Sequence, residues 1–320
     1  MNKTTWIIIV CAVVVLALAL VLVLVLSKGD GETPAEKEYT LSIAVDSAFD
    51  SDDQEQSNVA CAIVFDKDGK IVKAAFDSFA TKFGYDNGSL VTVERITTKY
   101  ELGENYGGTA VPEYLQMTSG SWEKQADAFV QAIIGKTAAE VKAMDAVLIA
   151  GCTMPNTTPI FRALVEKAYN YERKVSFKTA DDIKLGFSIE AVLDGTADSA
   201  EVASDYAATV FAGDKIVAAM LDSAANEYTL AADAAAGKFT VTPGEYKGTK
   251  NEQGDDYGML GAPYGSELAE WYAQAQAFAD NTKGKTAAEL EAIDAATVAG
   301  CTIYAGGYKA ALIAAAAKLK

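Results

Sequence analysis

The chain carries the same sequence pattern twice, and this repeat constrains its fold more than any other feature. Residues 135–153, GKTAAEVKAMDAVLIAGCT, match residues 284–302, GKTAAELEAIDAATVAGCT, at thirteen of nineteen positions. Upstream, the segment WEKQADAFVQ that begins at Trp122 matches WYAQAQAFAD, which begins at Trp271. Because the matches keep one order along about 120 residues, they indicate a duplicated domain and not a short solenoid repeat.

The repeat sets the domain boundaries. We place the two copies at residues 39–170 and 185–320, and the charged stretch 171–184 joins them. A polar segment with Gly and Pro, residues 27–38, precedes the first copy and is typical of a flexible tether. A chain of 320 residues is long enough for two domains of ordinary size.

Residues 6–26 form an apolar run of 21 residues without a charge. As a helix the run would span about 31 Å, close to the hydrocarbon thickness of a bilayer. It is longer than the apolar part of a cleaved signal peptide, and no small-residue cleavage pattern follows it. Lys3 precedes the run, so the positive-inside rule keeps residues 1–5 cytoplasmic. The sequence therefore predicts a single-pass signal anchor in the cell membrane, with the rest of the chain extracytoplasmic (extracellular).

The charge balance and the absence of histidine exclude several classes of function. The chain has 27 basic and 44 acidic residues, for a formal net charge of −17. So acidic a surface repels phosphate backbones, and we expect no nucleic-acid partner. Without histidine there is no Ser-His-Asp or Cys-His nucleophile and no His-ligated zinc. The sequence predicts neither a catalytic residue nor a metal site, and an electron carrier or binding protein fits it better than an enzyme.

The four cysteines predict neither a zinc site nor a disulfide framework. They are Cys11 in the apolar run, then Cys61, Cys152 and Cys301. Their spacing matches no metal-binding pattern and is too sparse for a disulfide-rich fold. Since Cys152 and Cys301 occupy equivalent positions of the repeat, we expect small buried thiols.

Each copy is predicted to open with a β-hairpin and to continue with helices, which gives the α+β class. In the first copy, apolar residues 60–65 and 70–76 flank the turn 66–69, Asp-Lys-Asp-Gly. Residues 137–140 and 286–289 both read Thr-Ala-Ala-Glu. These are capping boxes, and each predicts the start of a short helix.

A longer amphipathic helix and a closing helix complete each copy. Trp122 and Phe129 recur at helical spacing after Thr118 and Ser119, which can cap the helix. The spacing places the tryptophan on the apolar face, so we expect a core residue rather than a cofactor contact. The run Tyr308–Leu319 predicts the closing helix of the second copy.

The order of these elements resembles the FMN-binding domain family, found in extracellular flavoproteins and in a subunit of the sodium-pumping quinone reductase. That family begins with two strands around an Asp-Gly-Lys-Ile turn, which matches residues 68–71 here. It ends on Asp-x-x-Ser-Gly-Ala-Thr followed by a helix. The matching segments are residues 150–153 and 299–302, both Ala-Gly-Cys-Thr. The resemblance covers both copies loosely, and the closing motif is its specific part.

The resemblance implies an FMN cofactor that a flavin transferase joins through a phosphoester to the last Thr of the motif. The implied cofactor-binding residues are Asp145, Gly151, Cys152 and Thr153 in the first copy and Asp294, Gly300, Cys301 and Thr302 in the second. A Gly lets the backbone approach a phosphate closely, and the N-terminus of a following helix favours the anion. Tyr106 and Tyr257, each in a loop before a Gly, are further candidates for ligand contact.

The motif departs from the family pattern at three positions. Ala150 stands in place of Ser, Cys152 stands in place of Ala, and Asp145 precedes Thr153 by eight residues instead of six. Two functions therefore stay open. One is a membrane-anchored extracytoplasmic electron carrier with covalent FMN and a membrane redox donor. The other is a redox-inert cell-surface module, structural or ligand-binding, that keeps the fold without flavin.

Overall fold

The computed structural model describes residues 35–86, 89–145, 149–233, 238–261 and 266–320. The predicted membrane segment, residues 6–26, lies outside these ranges. Within them, no helix is both long and apolar enough to cross a membrane. Residues 37–320 form one compact unit.

The secondary structure follows the repeat. In chain order the strands are β1 (Lys37–Asp50), β2 (Glu55–Asp66), β3 (Ile71–Lys82), β4 (Gly84–Asp86), β5 (Ser89–Val91), β6 (Val175–Thr179), β7 (Ile183–Gly195), β8 (Ser199–Ala212), β9 (Lys215–Asp233) and β10 (Lys238–Pro243). The α-helices are α1 (Lys99–Leu102), α2 (Trp122–Ile133), α3 (Ala138–Lys142), α4 (Thr157–Asn170), α5 (Lys250–Gln253), α6 (Trp271–Asp280), α7 (Ala287–Glu291) and α8 (Gly306–Ala317). Short 3₁₀ turns cover Gly103–Asn105, Glu113–Leu115 and Gly254–Tyr257. We call residues 37–179 the first half and residues 183–320 the second half.

Each half contributes one four-stranded antiparallel sheet. The strand order is β3-β2-β1-β6 in the first sheet and β10-β9-β8-β7 in the second, while β4 and β5 form a separate pair. The predicted hairpin is confirmed, with Phe65 of β2 opposite Ile71 of β3. Its repeat equivalent pairs Phe211 of β8 with Ile216 of β9.

The inner faces of the two sheets share one apolar core. Ile43 and Val45 of β1 and Phe187 of β7 are buried in it. A polar contact crosses the same layer, where Asn58 Nδ2 donates to the Tyr206 hydroxyl at 2.7 Å. Because both halves supply this core, neither sheet buries its inner face without the other.

Helices of the same half cover each outer sheet face. On the first sheet, Phe161 of α4 packs against Phe76 of β3 and Phe129 of α2, with ring centroids 4.5 and 5.2 Å away. On the second sheet, Leu221 of β9 shares a buried cluster with Phe278 of α6. The molecule is thus a four-layer helix–sheet–sheet–helix arrangement, and the predicted α+β class is confirmed.

The ends of the closing helices reach across to the opposite half. Lys318, just after α8, forms an ion pair with Glu101 of α1 at 2.9 Å. Tyr171, just after α4, donates its hydroxyl to Asp222 of β9 at 3.4 Å. These reciprocal contacts tie the two halves together at their edges.

Both predicted capping boxes are formed. Thr137 accepts the backbone N–H of Glu140, whose carboxylate in turn accepts the N–H of Thr137. Thr286 and Glu289 make the same pair in the second half. These reciprocal bonds satisfy N–H groups that a helix start leaves without an intrahelical partner.

The prediction for the long helix α2 is confirmed in position and wrong in its cap. Trp122 and Phe129 are buried, as the helical spacing indicates. The N-cap residue is Ser121, and its side chain makes no capping bond. The closing helix of the second half begins at Gly306, two residues before the predicted start, and ends at Ala317.

Candidate functional site

The two Gly-Cys-Thr turns have the same backbone conformation. Gly151 has φ +79° and Gly300 has φ +81°, in the left-handed region that favours glycine. A Cβ at either position would also lie 3.1 Å from a methyl group, on Ala128 of α2 or Ala277 of α6. Glycine is therefore required twice over, by its dihedral angle and by the close packing of the turn on the helix.

The threonine after each turn binds a buried glutamine of the long helix. Thr153 donates its backbone N–H to Gln125 Oε1 at 2.7 Å and its hydroxyl to the same oxygen at 3.1 Å. Thr302 makes the same two bonds to Gln274, at 2.7 and 2.9 Å. Both threonines are exposed, and both glutamines are fully buried. Each hydroxyl is thus held at the surface in a fixed position over the first turns of a helix.

The cysteines of the motif point inward. Cys152 is buried with its Sγ 3.4 Å from Thr158 Oγ1, and Cys301 is buried in the outer core of the second half. Burial raises the pKa of the Cys301 thiol, although a hydrogen bond with the Ile303 backbone opposes the effect. Cys61 is also free and buried, so the predicted buried thiols are confirmed for the described cysteines. These residues fill space and do not present a ligand group.

The aspartates of the motif belong to a separate turn. Asp294 Oδ1 accepts the backbone N–H of Ala296 at 3.1 Å, and its carbonyl accepts the Thr297 hydroxyl at 3.2 Å. Asp145, at the equivalent position, is exposed. The carboxylate of Asp294 therefore shapes the chain that leads to the Thr302 turn.

The two predicted loop tyrosines lie at the start of the same helices. The Tyr106 carbonyl accepts the N–H of Trp122 at 3.2 Å, one turn before Gln125. The Lys99 ammonium lies 4.9 Å from the Tyr106 ring centroid, and the equivalent Lys250 lies 5.3 Å from that of Tyr257. The structure thus brings the tyrosines and the threonines to one end of each long helix.

Exposed apolar side chains lie in the chain segments next to the threonine of the second half and its Ser266 contact. The Ser266 hydroxyl lies 3.4 Å from Thr302 Oγ1 and also accepts the N–H of Leu268. Leu260 and Leu268 are 52% and 53% exposed, and Tyr304, two residues after Thr302, is 91% exposed. In the first half, the loop that leads to Ser119 carries its own exposed pair, Tyr114 and Leu115. We call the second-half set, Leu260, Leu268 and Tyr304, the apolar rim.

The second half has a polar cluster that the first half lacks. Trp271 Nε1 donates to the Tyr308 hydroxyl at 3.1 Å, and the Lys250 ammonium lies 5.3 Å from the Trp271 ring centroid. In the first half, the buried Trp122 Nε1 has no hydrogen-bond partner among the described residues, and its ring meets Phe161 edge-on. The buried tryptophan at the start of the long helix therefore has an apolar environment in the first half and a polar one in the second half.

Burial and neighbouring charges shift the pKa values of the ionisable groups in this cluster. Burial raises the pKa of Asp205, while the nearby charge of Lys250 opposes the rise. For Lys250, burial lowers the pKa, but Tyr308, Tyr257 and Asp205 together more than offset this and raise it. The lysine is held as a cation against the Trp271 ring at the start of α6.

Sequence reasoning missed the two buried aspartates that start the short helices α1 and α5. Asp77 accepts the N–H groups of Ser78 and Tyr100, and Asp222 accepts those of Ser223 and Asn251, all at 2.7–3.1 Å. Burial raises the pKa of Asp77 to about 6 and that of Asp222 to about 7. The available signal was the Asp-Ser pair at the end of both matched strand segments. Gln125 and Gln274 were missed in the same way, although both stand in the matched helix segments.

Comparisons with protein-family models, with curated proteins and with solved structures found no match for this chain.

Proposed function

We propose that the protein is a membrane-anchored, extracytoplasmic electron carrier that holds FMN covalently at Thr302 and Thr153. The observation that carries this proposal is the presentation of the two hydroxyls. In both halves an exposed threonine follows a left-handed Gly and is fixed to the start of the long helix by a buried Gln. A hydroxyl held in place on an exposed residue is what a transferase needs to accept the flavin phosphate and form the phosphoester.

The residues around Thr302 fit the phosphate end of the cofactor. The helix α8 begins four residues later, and its N-cap, Ala305, makes no side-chain capping bond. Gly306 and Gly307 then present backbone N–H groups of the first turn without Cβ atoms, and such groups favour an anion. A phosphoester at Thr302 would replace the hydroxyl's bond to Gln274 and leave the backbone bond to Gln274 in place.

The apolar rim fits the ring end of the cofactor. Tyr304 can stack on a planar ring, and Leu260 and Leu268 can shield one ring face from water. The bound flavin would supply the redox chemistry. The protein's part is to hold the phosphate end, orient the ring and leave an edge open to a redox partner.

The second half is the better carrier. Its motif is followed by Gly306, Gly307 and the exposed Tyr304, whereas Pro155 and Pro159 follow the motif of the first half. We therefore rank Thr302 above Thr153 as the site of attachment.

The predicted signal anchor supplies the location that this function requires. An extracytoplasmic flavin transferase would load the threonines, and a membrane redox donor would reduce the bound flavin. The predicted anchor would hold the carrier at the membrane surface, close to the donor.

A second candidate function is a redox-inert cell-surface module that binds a partner. It is favoured by the apolar rim, whose three side chains are more than half exposed and could equally dock an apolar surface. It is also favoured by the departures from the family motif, Ala299 and Cys301. Whether the protein carries covalent flavin distinguishes the two candidate functions.

The test is expression of the full chain with a flavin transferase in a membrane-exporting host, followed by in-gel flavin fluorescence. The Thr302→Val variant keeps the shape of the side chain and removes the hydroxyl, and Thr153→Val does the same in the first half. Thr242→Val is the matched control, because Thr242 is an exposed threonine outside both turns. We expect Thr302→Val to lose more fluorescence than Thr153→Val, the double variant to lose all of it, and the control to lose none. A colourless wild-type protein from a host that labels a known flavoprotein would favour the surface module.

A further inference from the structure

A basic groove lies where the end of the first half meets the second half. It has a volume of about 540 Å³, in the range of small-molecule sites. Its polar lining comes from the chain after α4, from α5 and from the α6 region: Arg173, Lys174, Asn251, Tyr272, Gln276 and Lys283. Neither Thr302 nor any residue of the apolar rim lines it.

The charge of the basic groove is opposite to that of the chain. Three cations, Arg173, Lys174 and Lys283, face one carboxylate, Asp280, so the lining carries 3 − 1 = +2. The whole chain carries −17. A local excess of cations on such an acidic protein favours the binding of anions at this one place.

Arg173 is held in a fixed orientation. Its Nη1 donates to the Asn251 carbonyl at 2.9 Å, and its guanidinium lies 4.4 Å from the Tyr272 ring centroid. It also packs against Gly254, where a Cβ would come within 2.3 Å of Nη2. A guanidinium fixed in this way has already lost the side-chain entropy that binding would otherwise cost.

The positive charge of Arg173 is not neutralised by a partner. Among the described residues, no carboxylate lies within ion-pair distance of its guanidinium. Arg95, in contrast, bonds to both Glu101 and Glu190. Lys174 likewise donates to a carbonyl, that of Tyr169 at 2.6 Å, and not to an acid. Two of the three cations in the groove therefore remain available to an anionic ligand.

The equivalent surface of the first half has the opposite character. In the alignment of Trp122 with Trp271, the positions of Tyr272 and Gln276 are taken by Glu123 and Asp127. There, Lys320 forms an ion pair with Asp127 at 2.5 Å. The lining that α6 gives to the basic groove is thus not a property of the repeated fold.

We propose that the basic groove binds a small oxyanion, a molecule that carries phosphate or carboxylate groups. Arg173 supplies its charge and the N–H groups that the Asn251 carbonyl does not use, and Lys174 and Lys283 add positive charge at the edges. The site is distinct from the flavin site, because neither Thr302 nor the apolar rim lines it, although its lining residue Ala277 packs against Gly300.

The test is calorimetric titration of the full chain in detergent with pyrophosphate and, separately, with citrate. We expect saturable binding of at least one probe, and the stronger probe identifies the phosphate or the carboxylate class. Arg173→Gln should weaken binding at least tenfold, which is about 1.4 kcal/mol, and Arg173→Lys should recover part of it. Lys215→Gln, which removes an equal charge outside the groove, should leave the affinity unchanged.

Two outcomes would overturn the proposal. One is the lack of saturable heat with both probes while the protein remains folded by circular dichroism. The other is an equal loss of affinity in Arg173→Gln and Lys215→Gln, which would indicate non-specific attraction of anions. Flavin fluorescence of Arg173→Gln should match the wild type, so failure here is distinguishable from failure of the flavin proposal.

Discussion

Thr302 and Gln274 are joined by two hydrogen bonds that end on one oxygen. The backbone N–H and the hydroxyl of Thr302 both donate to Gln274 Oε1, at 2.7 and 2.9 Å. The amide nitrogen of Gln274 is used as well, because it donates to the Ala269 carbonyl at 2.7 Å. One buried side chain thus connects the exposed turn to the loop before α6 and fixes both.

Replacing this glutamine should destabilise the fold. Gln274→Ala removes the acceptor of the Thr302 N–H and the donor to the Ala269 carbonyl, and we expect a loss of about 1–3 kcal/mol in unfolding free energy. Urea unfolding followed by circular dichroism measures it. Gln116→Ala is the control, since Gln116 is exposed and bonds only within its own loop, and it should change stability by less than about 0.5 kcal/mol. Equal effects of the two variants would contradict the role given to Gln274.

The buried carboxyl of Asp222 should make stability depend on pH. Burial raises its pKa from 3.8 to about 7, against opposing hydrogen bonds from Thr249, Asn251 and Ser223. The folded state therefore holds a proton that the unfolded state releases. The stability from this group is full below pH 3.8 and is lost as the pH rises toward about 7.

The Asp222→Asn variant isolates this effect. Between pH 4 and pH 7, the wild type should lose up to about 1.4 kcal/mol per pH unit relative to this variant. Asp214→Asn, at an exposed carboxyl in the β8–β9 turn, should run parallel to the wild type. Unfolding free energies of all three proteins across this range give the comparison. A constant difference between the wild type and Asp222→Asn would show that the carboxyl does not titrate in the fold.

The outer core of the first half should be sensitive to truncation. Phe161 is fully buried and contacts the rings of Phe76, Phe129 and Trp122. Phe161→Ala should cost about 3–5 kcal/mol through lost burial and a residual cavity. Tyr304→Ala, at a side chain 91% exposed, should cost less than about 0.5 kcal/mol. A small loss for Phe161→Ala in denaturant unfolding would mean that the helix layer is loosely packed on the sheet.

The two halves should not be stable as separate monomers. The inner sheet face of the first half includes Leu41, Ile43 and Val45, all fully buried against the second half. Exposing this face to water should drive self-association of residues 35–181, whereas residues 35–320 should not associate through it. Size-exclusion chromatography with light scattering compares them. A folded monomer of residues 35–181 at micromolar concentration would contradict the shared core.

The sequence alone predicted the elements inside each half better than the relation between the halves. The hairpin around residues 66–69, the helix from Trp122 and both capping boxes depend on local patterns, and each is confirmed. The shared inner core depends on pairing between segments more than a hundred residues apart, such as Asn58 and Tyr206. Period-two patterns indicate that a strand face is buried but not what covers it.

The site residues show the same difference: those in a local motif were predicted, and those that depend on packing between distant segments were not. The motif located the Thr153 and Thr302 turns, because Gly-Cys-Thr stands in both copies. Their partners Gln125 and Gln274 lie 28 residues earlier, and no spacing rule links a loop to a glutamine inside a helix. The predicted cap of α2 was wrong because the helix begins after Ser121, while Ser119 accepts the hydroxyl of Thr153. Arg173 and the basic groove depend on the packing of both halves and have no sequence pattern.

The intact mass of the full chain tests the central claim most directly. The protein is co-expressed with a flavin transferase, purified from membranes, and analysed with and without the Thr302→Val and Thr153→Val changes. We predict an added mass of one or two FMN groups, less one water for each. A single group should map to Thr302, and a second group should map to Thr153. A chain of unmodified mass, from a host that flavinylates a control protein, would contradict the flavin carrier and leave the surface-binding module in its place.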